Sequence, residues 1–193
     1  MIDFLGCTQA NPHWTVIYPN QHLANPKKTR SIILVNHSIS RNNWEDLSIA
    51  LSDVTGIQLH GAFGVLCIIN IYNDCENNDS LKVVEEFMRG RRSRTGDGSG
   101  MREREGFIWL EDFNRHHSIW EKERNAHLFT KAALEVAQLL LNMISNHNML
   151  MALAKDIPML EACLTKNYTR VDNIFCLAKL LNNFVSCNMY PQW

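Results

Sequence analysis

Long apolar runs are missing from this chain. None approaches the roughly 20 residues that a membrane-spanning helix needs, and Met1-Ile2-Asp3-Phe4-Leu5-Gly6 has neither the basic flank nor the apolar core of a signal peptide. An excess of one charge is missing too. Lys and Arg number 19 against 20 Asp and Glu, a formal net charge of −1, so no global basic field draws a polyanion and any nucleic-acid contact needs a local patch. The six cysteines (Cys7, Cys67, Cys75, Cys163, Cys176 and Cys187) are scattered and form no C-x-x-C pair. Cys67, Cys176 and Cys187 fall in apolar runs and read as reduced core thiols of an intracellular protein. No internal repeat and no second domain are discernible, and 193 residues suffice for one domain, 1–193, with a real core.

What is present is a series of short strands and two helices. Residues 16–18 and 31–35 read as strands around a Pro/Asn-rich loop, and 55–60 alternates as a half-buried strand. The run 65–72 is apolar and β-branched throughout, as a central strand would be. Helical spacing follows over 80–88, with Asp79 or Ser80 as N-cap. The stretch 90–106, with Arg91-Arg92-Ser93-Arg94-Thr95-Gly96-Asp97-Gly98-Ser99-Gly100, has no apolar period and reads as a flexible insertion loop. Residues 130–147 form the clearest amphipathic helix, with Ala133, Val136, Ala137, Leu140, Leu141 and Ile144 on one face. Short apolar runs close the chain at 149–153, 173–176 and 184–187. Many strands with few helices suit an α/β sandwich better than a βαβ series.

The most informative stretch is Trp109-Leu110-Glu111-Asp112-Phe113-Asn114-Arg115-His116-His117-Ser118-Ile119-Trp120. An apolar lead-in, 106–110, ends abruptly in an acid, an amide and two imidazoles, the pattern of a buried strand delivering a site at its tip. Asp112 and Asn114 have period-two spacing, so a strand would point both the same way. A carboxylate and a carboxamide converging on one spot can hold a metal ion, a water or a phosphate oxygen. Plainer readings exist: Asp and Asn favour turns, Tyr72 fits a core tyrosine, and Asp172 fits a partner for Arg170 two residues away. His116-His117 hints at zinc, but no cysteine or acid cluster has ligand spacing with the pair.

This stretch resembles the G-D-F-N-x-H-H-x-x-W signature of endonuclease domains in LINE-type (non-LTR) retrotransposons, members of the endonuclease/exonuclease/phosphatase (DNase I-like) superfamily. Three more segments are similar, in the same order: Asn70-Ile71-Tyr72-Asn73-Asp74, Trp120-Glu121-Lys122-Glu123-Arg124-Asn125 and Thr169-Arg170-Val171-Asp172-Asn173-Ile174-Phe175. Four motifs in order are specific where D-F-N alone is weak. The resemblance implies a four-layer α-β-β-α sandwich of two mixed, mainly antiparallel sheets, and Mg²⁺-dependent hydrolysis of a DNA phosphodiester. It gives Asp112 the part of orienting or deprotonating the attacking water, and Asn114 that of holding the phosphate and that acid. Tyr72 would hydrogen-bond the phosphate, and Asp172 would support a catalytic histidine. Asn73, Arg170, His116 and His117 would contact substrate at the rim. An active domain of this kind works on DNA in the nucleus.

The sequence departs from that pattern in three places. The metal-binding glutamate of a Q-E-x-W segment would lie before Met1, and the closing S/T-D-H strand would lie beyond Trp193, so neither terminal edge strand is expected and no principal metal ligand is present. The glycine before the signature aspartate is Glu111, which adds bulk and charge beside a polyanion. Three functions therefore compete: a Mg²⁺-dependent endonuclease domain, an inactive relic with at most weak DNA binding, and a phosphatase of small phosphoesters, against which the H-H-x-x-W signature argues.

Overall fold

The computed structural model describes residues 7–8, 11–94, 105–155, 157, 160–161 and 168–184. In chain order the strands are β1 (Trp14–Ile17), β2 (Ile33–Asn36), β3 (Trp44–Leu47), β4 (Val54–Gly61), β5 (Gly64–Ile71), β6 (Glu105–Asp112), β7 (Met149–Met151), β8 (Leu160–Glu161), β9 (Tyr168–Thr169) and β10 (Asp172–Leu177). The helices are α1 (Asp79–Arg94), α2 (Lys131–Asn146) and α3 (Ala178–Leu181). Among the described residues the strands form a six-stranded sheet, in the order β3-β4-β5-β6-β10-β7, and two-stranded sheets β1-β2 and β8-β9.

The six-stranded sheet is antiparallel except between β5 and β6. Parallel neighbours need a crossover, and α1 supplies it, so β5-α1-β6 is a βαβ unit whose two strands end side by side. Strand alternation explains why both faces are covered. Cys67, Ile69 and Ile71 on β5, with Trp109 on β6 and Phe175 on β10, pack against Leu81, Val84 and Met88 of α1 and Leu140 and Met143 of α2. The opposite face packs Ile57 and Trp44 against Ile17 of β1 and Val35 of β2. Helices thus lie on one side of the large sheet and the small sheet on the other. The tight β4-β5 turn uses Gly64 at φ 96°, a conformation that costs glycine little.

Most expected elements are present, and several more, β8 and α3 among them, were not expected. Helix α1 runs six residues past Met88, to Arg94, and enters the stretch expected to be loop. A tertiary contact accounts for it: Arg91 donates to the Glu105 carboxylate at the start of β6, fastening the last turn to the sheet. Residues 95–104 of that loop lie outside the described residues, as do 185–187 of the last apolar run. Strand β3 was not expected. Its Trp44-Glu45-Asp46-Leu47 is short and half acidic, and it holds its place as an edge strand because Trp44 and Leu47 are buried at its two ends. Helix α2 starts where the spacing puts it, with the Thr130 side chain accepting from the Ala133 N–H as N-cap.

Candidate functional site at the strand tips

The site forms where β5 and β6 end. Asp172 at the start of β10 lies directly opposite Asp112 at the end of β6. Asn70 pairs with Leu110 across the parallel ladder, so Tyr72, two residues on, falls beside Asp112. The ladder continues past the strands, with the Asn73 N–H donating to the Asp112 carbonyl at 2.8 Å. By alternation Asp172, Asp112 and Tyr72 stand in a row across three neighbouring strands, on the face away from the helices.

The turn after β6 has the backbone strain common at functional sites. Glu111 has φ 93° and Asn114 φ 47°, conformations unfavourable for L residues and least so for Asn. Asp112 Oδ1 accepts from the Asn114 N–H at 2.9 Å, an Asx turn. Asn114 Nδ2 donates to the Asn73 carbonyl at 2.8 Å. Acid and amide are therefore held together by the turn rather than by the strand alternation inferred from their spacing.

The carboxyls here are held high. Burial pushes the Asp112 carboxyl above its ordinary range, and the charge of Asp172 adds to the push, while the bonds from Asn114 oppose it. Burial alone raises Asp172. Burial also raises Glu111, with Asp172 and Asp112 adding, against a hydrogen bond with Asn70. A carboxyl poised toward protonation beside a second acid suits a group that orients or deprotonates water.

Tyr72 lies under a guanidinium. Arg30 stands 4.3 Å from the Tyr72 ring centre, and it pairs with both Asp53 oxygens (2.9 and 2.6 Å) and with Asp74 at 2.7 Å. Sequence reasoning missed Arg30, since nothing in a Pro/Asn-rich loop marks one arginine as a neighbour of a residue 42 positions on.

Two of the four expected substrate contacts, Arg170 and Asn73, are buried, and His116 and His117 are part-exposed. Arg170 is 1% exposed, and its guanidinium donates to the carbonyls of Ala154 and Leu153. Asn73 is fully buried, with Nδ2 on the Phe113 carbonyl at 3.1 Å. Side chains this buried cannot reach a ligand from solvent; both belong to the framework. His116 meets the buried Glu121 at 2.8 Å. That carboxylate also accepts from Asn125 Nδ2 at 2.7 Å and from the Arg170 N–H at 3.1 Å. Burial would raise Glu121, but these three partners together bring it below the ordinary range. His117 Nδ1 accepts from the Ile119 N–H at 3.2 Å, and burial lowers its pKa. It is the one imidazole of the pair that leans on Trp120, at 5.4 Å between ring centres.

A second missed residue is Arg115. Although 2% exposed, it donates through its whole fork: to Asn78 Oδ1 at 3.0 Å and the carbonyls of Asp74 (3.1 Å), Asn114 (2.6 Å) and Asn77. It clamps the β5-α1 loop onto the β6 turn. In the signature Arg115 fills the unspecified position after D-F-N, and a charged residue usually means exposure.

For a divalent cation the fit is poor. Among the described residues no three His, Cys, Asp or Glu side chains gather as a ligand set, and the acids at the tips stand in a row rather than around a point.

No family model matches the sequence, and no curated protein does. Among solved structures the chain is similar to the endonuclease domain of TRAS1, a telomere-specific non-LTR retrotransposon. The identity is 11%, over 88% of this chain and 69% of that one, with a TM-score of 0.59. It is also similar to an endonuclease/exonuclease/phosphatase family protein from Bacteroides thetaiotaomicron (11% identity, 86% of this chain, 62% of that chain, TM-score 0.44). A mannosyl-6-phosphatase from Bacteroides thetaiotaomicron VPI-5482 is similar too (11%, 86%, 64%, 0.44). The chain spans less than two thirds of these last two. The fold is DNase I-like, similar to that of the TRAS1 endonuclease domain.

Proposed function

We propose that this chain is a DNA-directed phosphodiester domain of the non-LTR retrotransposon type. The single observation behind this reading is the row Asp172–Asp112–Tyr72 at the strand tips, with Asn114 locked onto Asp112. In an attack on a phosphodiester, water must lose a proton while negative charge builds on the phosphoryl oxygens. Asp112, raised by burial, takes or orients that proton. The Tyr72 hydroxyl donates to a phosphate oxygen, and Arg30, its charge already met by Asp53 and Asp74, fixes the ring from above. Asp172 keeps Asp112 from ionising too readily. Mg²⁺ or Mn²⁺ enters as an added reagent, since the family resemblance implies it while the described residues offer no ligand set. The test is nicking of supercoiled plasmid by the full chain with Mg²⁺ or Mn²⁺. Nicking that Asp112→Ala abolishes supports the reading, and no nicking at high protein concentration overturns the hydrolytic part of it.

A second reading, binding without turnover, is favoured by Glu111. It places a carboxylate in a left-handed conformation next to Asp112, where a polyanion would approach. Its signature is salt-sensitive oligonucleotide binding with no cleavage. No binding at low salt would leave the fold alone.

A further inference from the structure

Away from the strand tips, the loop between β1 and β2 brings a thiol and an imidazole together. His22 is 3% exposed. Its Nε2 lies 3.8 Å from Cys7 Sγ and its Nδ1 lies 2.8 Å from Thr29 Oγ1. The ring is stacked on Tyr18 at 4.1 Å with 18° between planes, and the Tyr18 hydroxyl accepts from the Thr8 N–H at 2.6 Å. The His22 N–H donates to the Pro19 carbonyl at 2.9 Å, so backbone, ring face and both ring nitrogens are all fixed.

We propose that Cys7 is a reactive thiol and an oxidation site, with His22 as its base and Thr29 as the residue that sets the base's tautomer. With Nδ1–H donating to Thr29 Oγ1, Nε2 presents its lone pair to the Cys7 S–H. This is the nucleophile–base–orienter arrangement that activates weak nucleophiles. Cys7 is half-buried, reachable yet sheltered. The other core thiols are built the opposite way. Burial pushes Cys67 up to about 12, with its thiol donating to Glu105 and Gln58, and burial raises Cys176 as well. No third acid, histidine or cysteine joins Cys7 and His22 as a metal set among the described residues.

The co-reactant is hydrogen peroxide. The thiol proton passes to His22 Nε2, and Sγ attacks one peroxide oxygen. The S–O bond forms as the O–O bond breaks, and the departing hydroxide takes the proton from Nε2 and leaves as water. Sulfur loses two electrons and peroxide gains them, giving a sulfenic acid at Cys7.

The experiment exposes the full chain to a trace of hydrogen peroxide, traps sulfenic acid with dimedone and reads each cysteine peptide by mass spectrometry. Exposed Cys75 is the internal reference. Cys7 reacts about tenfold faster than Cys75 despite its lower exposure. In His22→Gln its rate falls to that of Cys75, and in Thr29→Val it falls part of the way. Circular dichroism confirms that each variant is folded, and Thr29→Val decides alone if His22→Gln is not. A Cys7 rate equal to or below that of Cys75 in the wild type overturns the proposal, as does a rate unchanged in the folded variants.

Discussion

Asn114 and Asn73 hold the two strand tips together: Asn114 Nδ2 donates to the Asn73 carbonyl at 2.8 Å, and the Asn73 N–H donates to the Asp112 carbonyl at 2.8 Å. Asn114 also occupies φ 47°. Removing its amide takes a donor from the buried Asn73 carbonyl, and alanine tolerates this φ worse than asparagine or glycine. Asn114→Ala is expected to cost about 2 kcal/mol in urea unfolding, and Asn114→Gly less. Equal losses in the two variants would show that the backbone conformation contributes nothing.

Glu111 is the opposite case, a residue in the wrong place for stability. At φ 93° and with its carboxyl raised by burial and by Asp172 and Asp112, it carries both strain and repulsion. Glu111→Gly is expected to stabilise the chain by roughly 1 kcal/mol. A lower urea midpoint in the variant would mean that the bond to Asn70 outweighs both.

Acid titration separates two kinds of carboxyl. Asp172 has a folded pKa above its unfolded one, so its ionisation opposes folding; the penalty is absent below the unfolded value and grows as pH rises through the folded one. Asp172→Asn should therefore raise the urea midpoint at pH 7 and leave it unchanged near pH 3. Glu121 is the reverse. Its folded pKa is depressed, so it contributes stability above the unfolded value that is lost as pH falls through the folded one. Glu121→Gln should destabilise at pH 7 and much less at pH 3. Parallel pH profiles for the two variants would contradict these assignments.

Arg115 is expected to be the most sensitive framework residue. Its fork satisfies acceptors on two loops at once, and lysine, a single point donor, cannot replace that geometry. Arg115→Lys should cost about 3 kcal/mol by leaving several buried acceptors unmet. A loss below about 1 kcal/mol would show that water takes over the acceptors.

Much of this architecture was legible because it rests on local pattern. The β-branched run of β5, the apolar lead-in of β6 and the 3.6-residue stripe of α2 each declare their element. What stayed hidden depends on distant partners. Helix α1 outlasts its apolar period because Arg91 finds Glu105, and β3 forms because Trp44 and Leu47 reach a core built by other segments. At the site, Asp112, Asn114, Tyr72 and Asp172 came from a resemblance of motifs, and register puts three of them in one row. Arg30 and Arg115 were opaque for a physical reason. A buried or half-buried arginine is identified by its acceptors, and Asp53, Asp74 and Asn78 are separated from them by 23 to 44 residues. The same logic misplaced Arg170 and Asn73, whose polar side chains look exposed until their carbonyl partners are seen.

The most direct measurement is the rate of supercoiled-plasmid nicking with Mn²⁺ or Mg²⁺ for the wild type, Asp112→Ala and Tyr72→Phe. The account predicts nicking by the wild type, none by Asp112→Ala, and a loss of roughly tenfold to a hundredfold for Tyr72→Phe, the range for one phosphate donor. A wild type that does not nick, or an Asp112→Ala variant that nicks as fast as the wild type, contradicts it.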